Sequence, residues 1–180
     1  MLFESISQIT DLIKSALDDK RHSFRYGNLA TVGSDLAPRV RTVMVRSIDP
    51  KATLSFYGDG RALKMQHISQ NPKVSLSLYD PAEMIQFRFD GTAKICTDPK
   101  RTQETWAHVP PILQRDYTTH KAPGAILDSD GLDYLVNENF FTIVDIIPHQ
   151  IECMVLGKNG HQKTLFVTDG FEWSKKALVP

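Results

Sequence analysis

Apolar residues enter the chain at helical spacing. Leu2, Ile6, Ile9, Ile13 and Leu17 recur every three or four positions, with Lys14 and Asp18 off the stripe. That pattern predicts an amphipathic helix within residues 1–20. The period then shortens towards two. Phe24 to Val32, Val40 to Ile48 and Thr53 to Tyr57 are rich in β-branched and aromatic residues, and Gly33-Ser34-Asp35, Pro38 and Asp49-Pro50 punctuate them. They read as three strands joined by turns. Gly58-Asp59-Gly60 opens a short helical stretch from Arg61 to Gln70, which Asn71-Pro72 closes. Strands resume at Val74 to Tyr79 and, after Asp80-Pro81, at Ile85 to Ile95. Asp98 stands where it can cap a helix over Pro99 to His108.

Residues 109–137 show little periodicity and hold Pro110, Pro111, Pro123, Gly124, Asp128, Asp130 and Gly131. A long loop with one helical turn is expected there, and irregular stretches of that length are often functional. Phe140 to Ile147, Gln150 to Leu156 and Thr164 to Val167 return to strand pattern. Pro148-His149 is expected to join the first two, and Asn159-Gly160 is a hairpin signal before the third. Phe171 to Leu178 closes the series. Six or more short antiparallel strands with few helices predict a mainly β fold, a β-barrel with flanking helices. The chain is expected to form a single domain over 1–180.

Composition narrows the function. The 21 basic and 21 acidic residues balance, so no net field draws the chain to nucleic acid or to an anionic membrane. No window approaches the roughly 20 apolar residues of a membrane span, and the N-terminus, with Glu4, Asp11, Asp18 and Asp19, is not a signal peptide. Cys96 and Cys153 stand far apart, which excludes a disulfide framework and suits a reducing cytoplasm. The six histidines have no metal-ligand spacing, and HExxH, GxSxG, P-loop and GxGxxG patterns are absent. Any demanding chemistry then belongs to a bound organic cofactor.

Three local patterns bear on such a cofactor. Gly58-Asp59-Gly60 leads into a helix start with Arg61 and Lys64 three apart. Free amides and two cations there suit a phosphate, while a solvated surface helix accounts for the same residues. In the strand Arg39-Val40-Arg41-Thr42-Val43-Met44-Val45-Arg46, alternation puts Arg39 and Arg41 on one face with Val43 and Val45. A charge heading an apolar face meets an anion or snorkels to solvent. Arg46 has the opposite parity and joins that face only through a bulge. Gln86 alternates with Arg88 and Asp90 and is open to an inward role against a flat heterocycle or to an edge-strand polar face.

The order RTVMVR, FYGDGRALK, NPKVSLSLYDP, QFRFDGTAKI resembles the flavin-binding core of the pyridoxamine 5′-phosphate oxidase family, and Gln150-Ile151-Glu152 with Trp173, Leu178 and Pro180 resembles its ending. The Arg61-Ala62-Leu63-Lys64 core, Trp106 and Pro123-Gly124 look closest to its uncharacterised FMN-binding branch. The resemblance implies a split β-barrel of Greek-key type, homodimeric, with FMN at the subunit interface. It gives the FMN phosphate to Arg41 and Lys64 with Arg61 as helper, and the isoalloxazine ring to the backbone of Thr42, Val43 and Met44. Tyr57 and Gly58 would line the ribityl and phosphate region, Gln86 would hydrogen-bond the flavin, and Arg46 replaces the family's substrate-gripping lysine. The implied activity is that of an FMN-dependent oxidoreductase acting on a small molecule. Two departures weigh against pyridoxamine 5′-phosphate oxidase activity itself. Cys153-Met154-Val155 replaces the aromatic pair after Q-I-E, and His161-Gln162-Lys163-Thr164 lacks R-x-H. A genuine oxidase of that name, and a flavin or haem carrier using His149 or His161, are the alternatives.

Overall fold

The computed structural model describes residues 3–127, 131–158 and 160–180. Leu2, Asp128, Asp130 and Asn159, and with Asn159 the expected Asn159-Gly160 hairpin turn, lie outside the described residues. The N-terminal stripe forms α1 (Ile6–Asp18), whose Ser5 cap accepts from the Gln8 amide and whose Ile6, Ile9, Ile13 and Ala16 are buried. After a 3-10 turn at Ser23–Arg25, three strands run up and down: β1 (Tyr26–Val32), β2 (Pro38–Ile48) and β3 (Leu54–Asp59). α2 (Leu63–Gln70) then carries the chain across to β4 (Lys73–Asp80), which pairs with the far side of β1. The spatial order β4-β1-β2-β3 is a Greek key.

β5 (Ile85–Ile95) and β6 (Phe141–Val155) follow, separated by α3 (Pro99–His108) and the single turn α4 (Pro111–Gln114). β3 pairs with β6 as well as β2, so β3-β2-β1-β4-β5-β6 closes into a six-stranded antiparallel barrel. β7 (Gln162–Thr168) and β8 (Trp173–Leu178) extend from the second half of β6. Strand alternation turns Val74, Leu76, Leu78, Ile85, Phe87 and Phe89 into the barrel, where they meet Phe24, Leu29, Leu54 and Phe56. The Phe87 ring lies 5.2 Å from Phe3 and 5.4 Å from Phe24. Among the described residues no helix is long and apolar enough to cross a membrane.

Two sequence expectations need correction, and one open choice is decided. Pro148-His149 does not separate two strands, because β6 runs through it. Asp90 pairs with Gln150 and Gly91 with Pro148, which leaves His149 as the extra residue of a bulge. The bulge accommodates a proline that has no N–H to donate. Gly91 fits beneath it because a Cβ there would lie 2.3 Å from the Ile147 carbonyl oxygen. The second helix begins at Leu63 rather than Arg61, since the Arg61 amide instead donates to the Asp59 carboxylate. Gln86, Arg88 and Asp90 do share a face, but it is the outer one, since Phe87 and Phe89 hold the core.

Candidate functional site

The barrel is open along one seam. β2 pairs with β1 from Pro38 to Met44, yet it meets β3 only at Val45, Ser47 and Ile48. The next residues of β3, Tyr57, Gly58 and Asp59, pair with β6 instead. Thr42, Val43 and Met44 therefore have a strand partner on the β1 side alone, which leaves a strip of backbone donors and acceptors facing the gap. A second bulge ends the strip. Val45 lies opposite Phe56 and Ser47 opposite Ser55, so Arg46 is the extra residue. Its guanidinium carbon sits 4.9 Å from the Tyr57 ring centroid, and its Nε is buried with no hydrogen-bond partner among the described residues. The bulge returns Ile48 to the barrel core and leaves Arg46 outside it, beside Tyr57.

Two cations meet at the other end of the strip. Arg41 points with Val43 and Val45 towards the barrel mouth, where its Nη1 donates to the Leu29 carbonyl at 3.0 Å and to Thr31 Oγ1 at 2.8 Å. Lys64 projects from the first turn of α2 past Gly58, where a Cβ would lie 3.3 Å from Lys64 Cε and 2.3 Å from Met65 Cε. Burial, and then the charge of Arg41, push the Lys64 ammonium below the usual lysine range, with Asp59 opposing. Burial and then Arg39 lower Arg41 in the same way. Among the described residues neither cation forms an ion pair with a carboxylate. Two desolvated positive groups, Lys64 depressed further by the charge of Arg41, are stabilised by a shared anion.

Their neighbours are already satisfied. Arg39 is paired with Asp35 at 2.6 Å and holds that carboxyl well below the usual range. Arg61 pairs with Asp59 at 2.7 Å, donates to the Thr119 and His120 carbonyls and covers the Phe140 ring. It ties the segment after α4 to the turn before α2. Gln86 lies three strands round the barrel from β2, on the order of 14 Å at usual strand spacing. His149 and His161 are exposed, and among the described residues no group of three metal-ligating side chains occurs.

The sequence reading passed over several neighbours of the seam. Thr31 and His67 stand behind Arg41, with Thr31 Oγ1 3.0 Å from His67 Nδ1. A cleft of about 210 Å³ beside Arg46 and Tyr57 is lined by Arg25, Thr105, His108, Val109, Pro110 and Leu113. The spacing of His67 three residues after Lys64, on one helical face, was the signal available for the first group. Trp106 is half-buried and packs 5.3 Å from the Phe141 ring.

Residues 7–97, which span all but the first residue of α1, the seam and both cations, match the family model described as pyridoxamine 5′-phosphate oxidase, FMN-binding domain. The chain belongs to that family. A pyridoxine/pyridoxamine 5′-phosphate oxidase from Christiangramia forsetii is 30% identical over 104 residues, 58% of this chain and 45% of that protein. The match thus spans under half of that relative. Another, from Anaeromyxobacter dehalogenans, is 24% identical over 192 residues, 98% of this chain and 96% of its own. Among solved structures, a pyridoxamine 5′-phosphate oxidase-related FMN-binding protein from Nostoc punctiforme has a TM-score of 0.82 at 21% identity, over 99% and 98% of the two chains. PhzG from Burkholderia lata, in complex with tetrahydrophenazine-1-carboxylic acid, has a TM-score of 0.84 at 18% identity, over 100% and 98%. These likenesses establish the split-barrel fold.

The family's cofactor can be tested against the seam. A phosphate monoester needs cations not already taken by carboxylates, and among the described residues Arg41 and Lys64 form no ion pair. A flat heterocycle needs polar edges beside it, and the Thr42–Met44 strip has them. The partnerless Nε of Arg46 is a further donor at the strip's far end. The residues present fit FMN.

Proposed function

We propose that this chain, as one unit over 1–180, binds FMN along the seam and acts as an FMN-dependent oxidoreductase on a small organic molecule. The observation that carries the proposal is the pair of desolvated cations Arg41 and Lys64, neither in an ion pair among the described residues, at the end of an unpaired backbone strip. Arg41 and Lys64 hold the phosphate, Gly58 leaves room for the lysine stem, and the Thr42, Val43 and Met44 backbone takes the ring edge. Tyr57 lines the middle of the seam and Arg46 its far end. When bound, FMN supplies hydride transfer. The working form is a homodimer in the cytoplasm, with Gln86 reaching the flavin at the subunit interface. Two facts support this part. Tyr26, Val40 and Tyr79 are 48%, 65% and 40% exposed on the outer faces of β1, β2 and β4, an apolar surface suited to a second copy. Cys96 and Cys153 are both free.

Pyridoxine/pyridoxamine 5′-phosphate oxidation is the second reading, favoured by the names of the two curated relatives. Against it, Lys163 stands in the segment that lacks R-x-H and is engaged by Glu152 at 3.3 Å. Pyridoxal phosphate formation by FMN-loaded protein would establish that reading; its absence leaves a different small substrate. The proposal itself is tested by titrating the protein with FMN and with riboflavin, which differ by the phosphate. FMN should bind at least about tenfold more tightly, with Arg41→Met or Lys64→Met erasing most of the difference and leaving riboflavin unchanged. Equal affinities in the wild type would remove the phosphate site.

A further inference from the structure

Arg41 is held by a chain of hydrogen bonds that leads back into the helix carrying Lys64. Its Nη1 lies 2.8 Å from Thr31 Oγ1, and Thr31 Oγ1 lies 3.0 Å from His67 Nδ1. Thr31 is 1% exposed and His67 4% exposed, so water has little access to either. The direction of the chain follows from donor inventory. A guanidinium only donates, so the Thr31 hydroxyl oxygen accepts from Arg41, and its single proton is free to go to His67 Nδ1. In that arrangement Nδ1 accepts and the imidazole proton sits on Nε2. Nε2 lies against Gly33, where a Cβ would approach to 2.8 Å, so the glycine keeps the ring's pocket open. His67 sits in α2 three residues after Lys64, so one short helix delivers a cation to the site and the acceptor that steadies the other cation.

We propose that His67 is a positioning residue for phosphate recognition, acting through Thr31 to fix the guanidinium of Arg41 beside Lys64. The inference rests on the FMN reading of the seam. With Nη1 committed to Leu29 and Thr31, the remaining guanidinium donors are held in one orientation. Without the imidazole acceptor the Thr31 hydroxyl loses its fixed rotamer, and Arg41 gains freedom that a bound phosphate must remove. A purely structural His67 would change stability and would affect phosphate-bearing and phosphate-free ligands alike.

The test is the ratio of FMN to riboflavin affinity in His67→Leu, Thr31→Val and His67→Gln, with thermal midpoints recorded alongside. His67→Leu and Thr31→Val should lower the ratio about threefold, less than Arg41→Met does, by weakening FMN alone. His67→Gln, whose side-chain oxygen can accept from Thr31, should restore most of it. If His67→Leu does not fold, Thr31→Val cuts the same chain with a near-isosteric side chain and decides the matter. An unchanged ratio in Thr31→Val, or equal weakening of both ligands, overturns the role of His67 while leaving the phosphate site in place. A wild type that does not distinguish FMN from riboflavin overturns both.

Discussion

The two sides of the barrel treat charge in opposite ways. On the closed side, across β4, β5, β6 and β7, Arg88 meets Asp90 at 3.1 Å and Glu152 at 3.1 Å, and Lys163 meets the other oxygen of Glu152 at 3.3 Å. Gln150 donates to Asp90 as well. Cations and carboxylates complete one another there, over a core of Phe87 and Phe89. On the open side, around β2, β3 and α2, Arg41, Lys64 and Arg46 have no carboxylate partner among the described residues, and a strand edge is left unpaired. Both sides hold half-buried charge at a desolvation cost. The closed side offsets all of it internally, whereas the open side pairs Arg39 with Asp35 and Arg61 with Asp59 and leaves Arg41, Lys64 and Arg46 over. What those three lack is the outline of a ligand.

The comparison can be broken most forcefully from the closed side. Phe87→Ala removes a fully buried ring that touches Phe3, Phe24 and Phe89 and should destabilise the fold by about 3–5 kcal/mol in denaturant unfolding. Glu152→Gln removes the negative charge that Arg88 and Lys163 share and replaces one of its two acceptor oxygens with a donor, while Arg88 keeps Asp90. A loss of about 1–2 kcal/mol is expected, moderated by the solvent that reaches Arg88, with the FMN-to-riboflavin ratio unchanged.

The open side should respond with the opposite sign. Lys64 has a folded-state pKa below its unfolded value, so the folded protein binds protons less readily and its stability rises with pH as the lysine titrates. At neutral pH the buried ammonium is a liability. Lys64→Met should therefore hold or raise the melting temperature of the ligand-free protein while abolishing the increase that FMN produces in the wild type. A smaller contrast sits in the cysteines. Burial pushes the Cys153 thiol up to about 12, so it stays protonated through neutral pH, whereas Cys96 is only half-buried. Mass spectrometry after brief alkylation of the native protein should find Cys96 modified and Cys153 intact.

Local chemistry was legible in the sequence, and partner-dependent geometry was not. The Asp98 cap and Pro99 mark the start of α3 by themselves, and alternation locates β4 and β5 because one face of each is core. Pro148 was read as a break because its missing N–H is visible in the chain. The accommodating bulge depends on Gly91 in the neighbouring strand. Alternation grouped Gln86 with Arg88 and Asp90 but could not say which face was inside without the competing claim of Phe87 and Phe89. Arg61 and Lys64 look equivalent as cations near a helix start, yet Asp59 engages the first and leaves the second. Thr31 and His67 are 36 positions apart, and only the closed barrel brings them together behind Arg41.

The most direct test of the central claim is the visible spectrum of the purified protein after incubation with FMN and desalting, compared with the Arg41→Ala/Lys64→Ala double variant. The account predicts a retained flavin spectrum in the wild type and a colourless, folded variant. A wild type that emerges colourless, or takes up haem with a Soret band while releasing flavin, would contradict it, as would a double variant that stays as yellow as the parent.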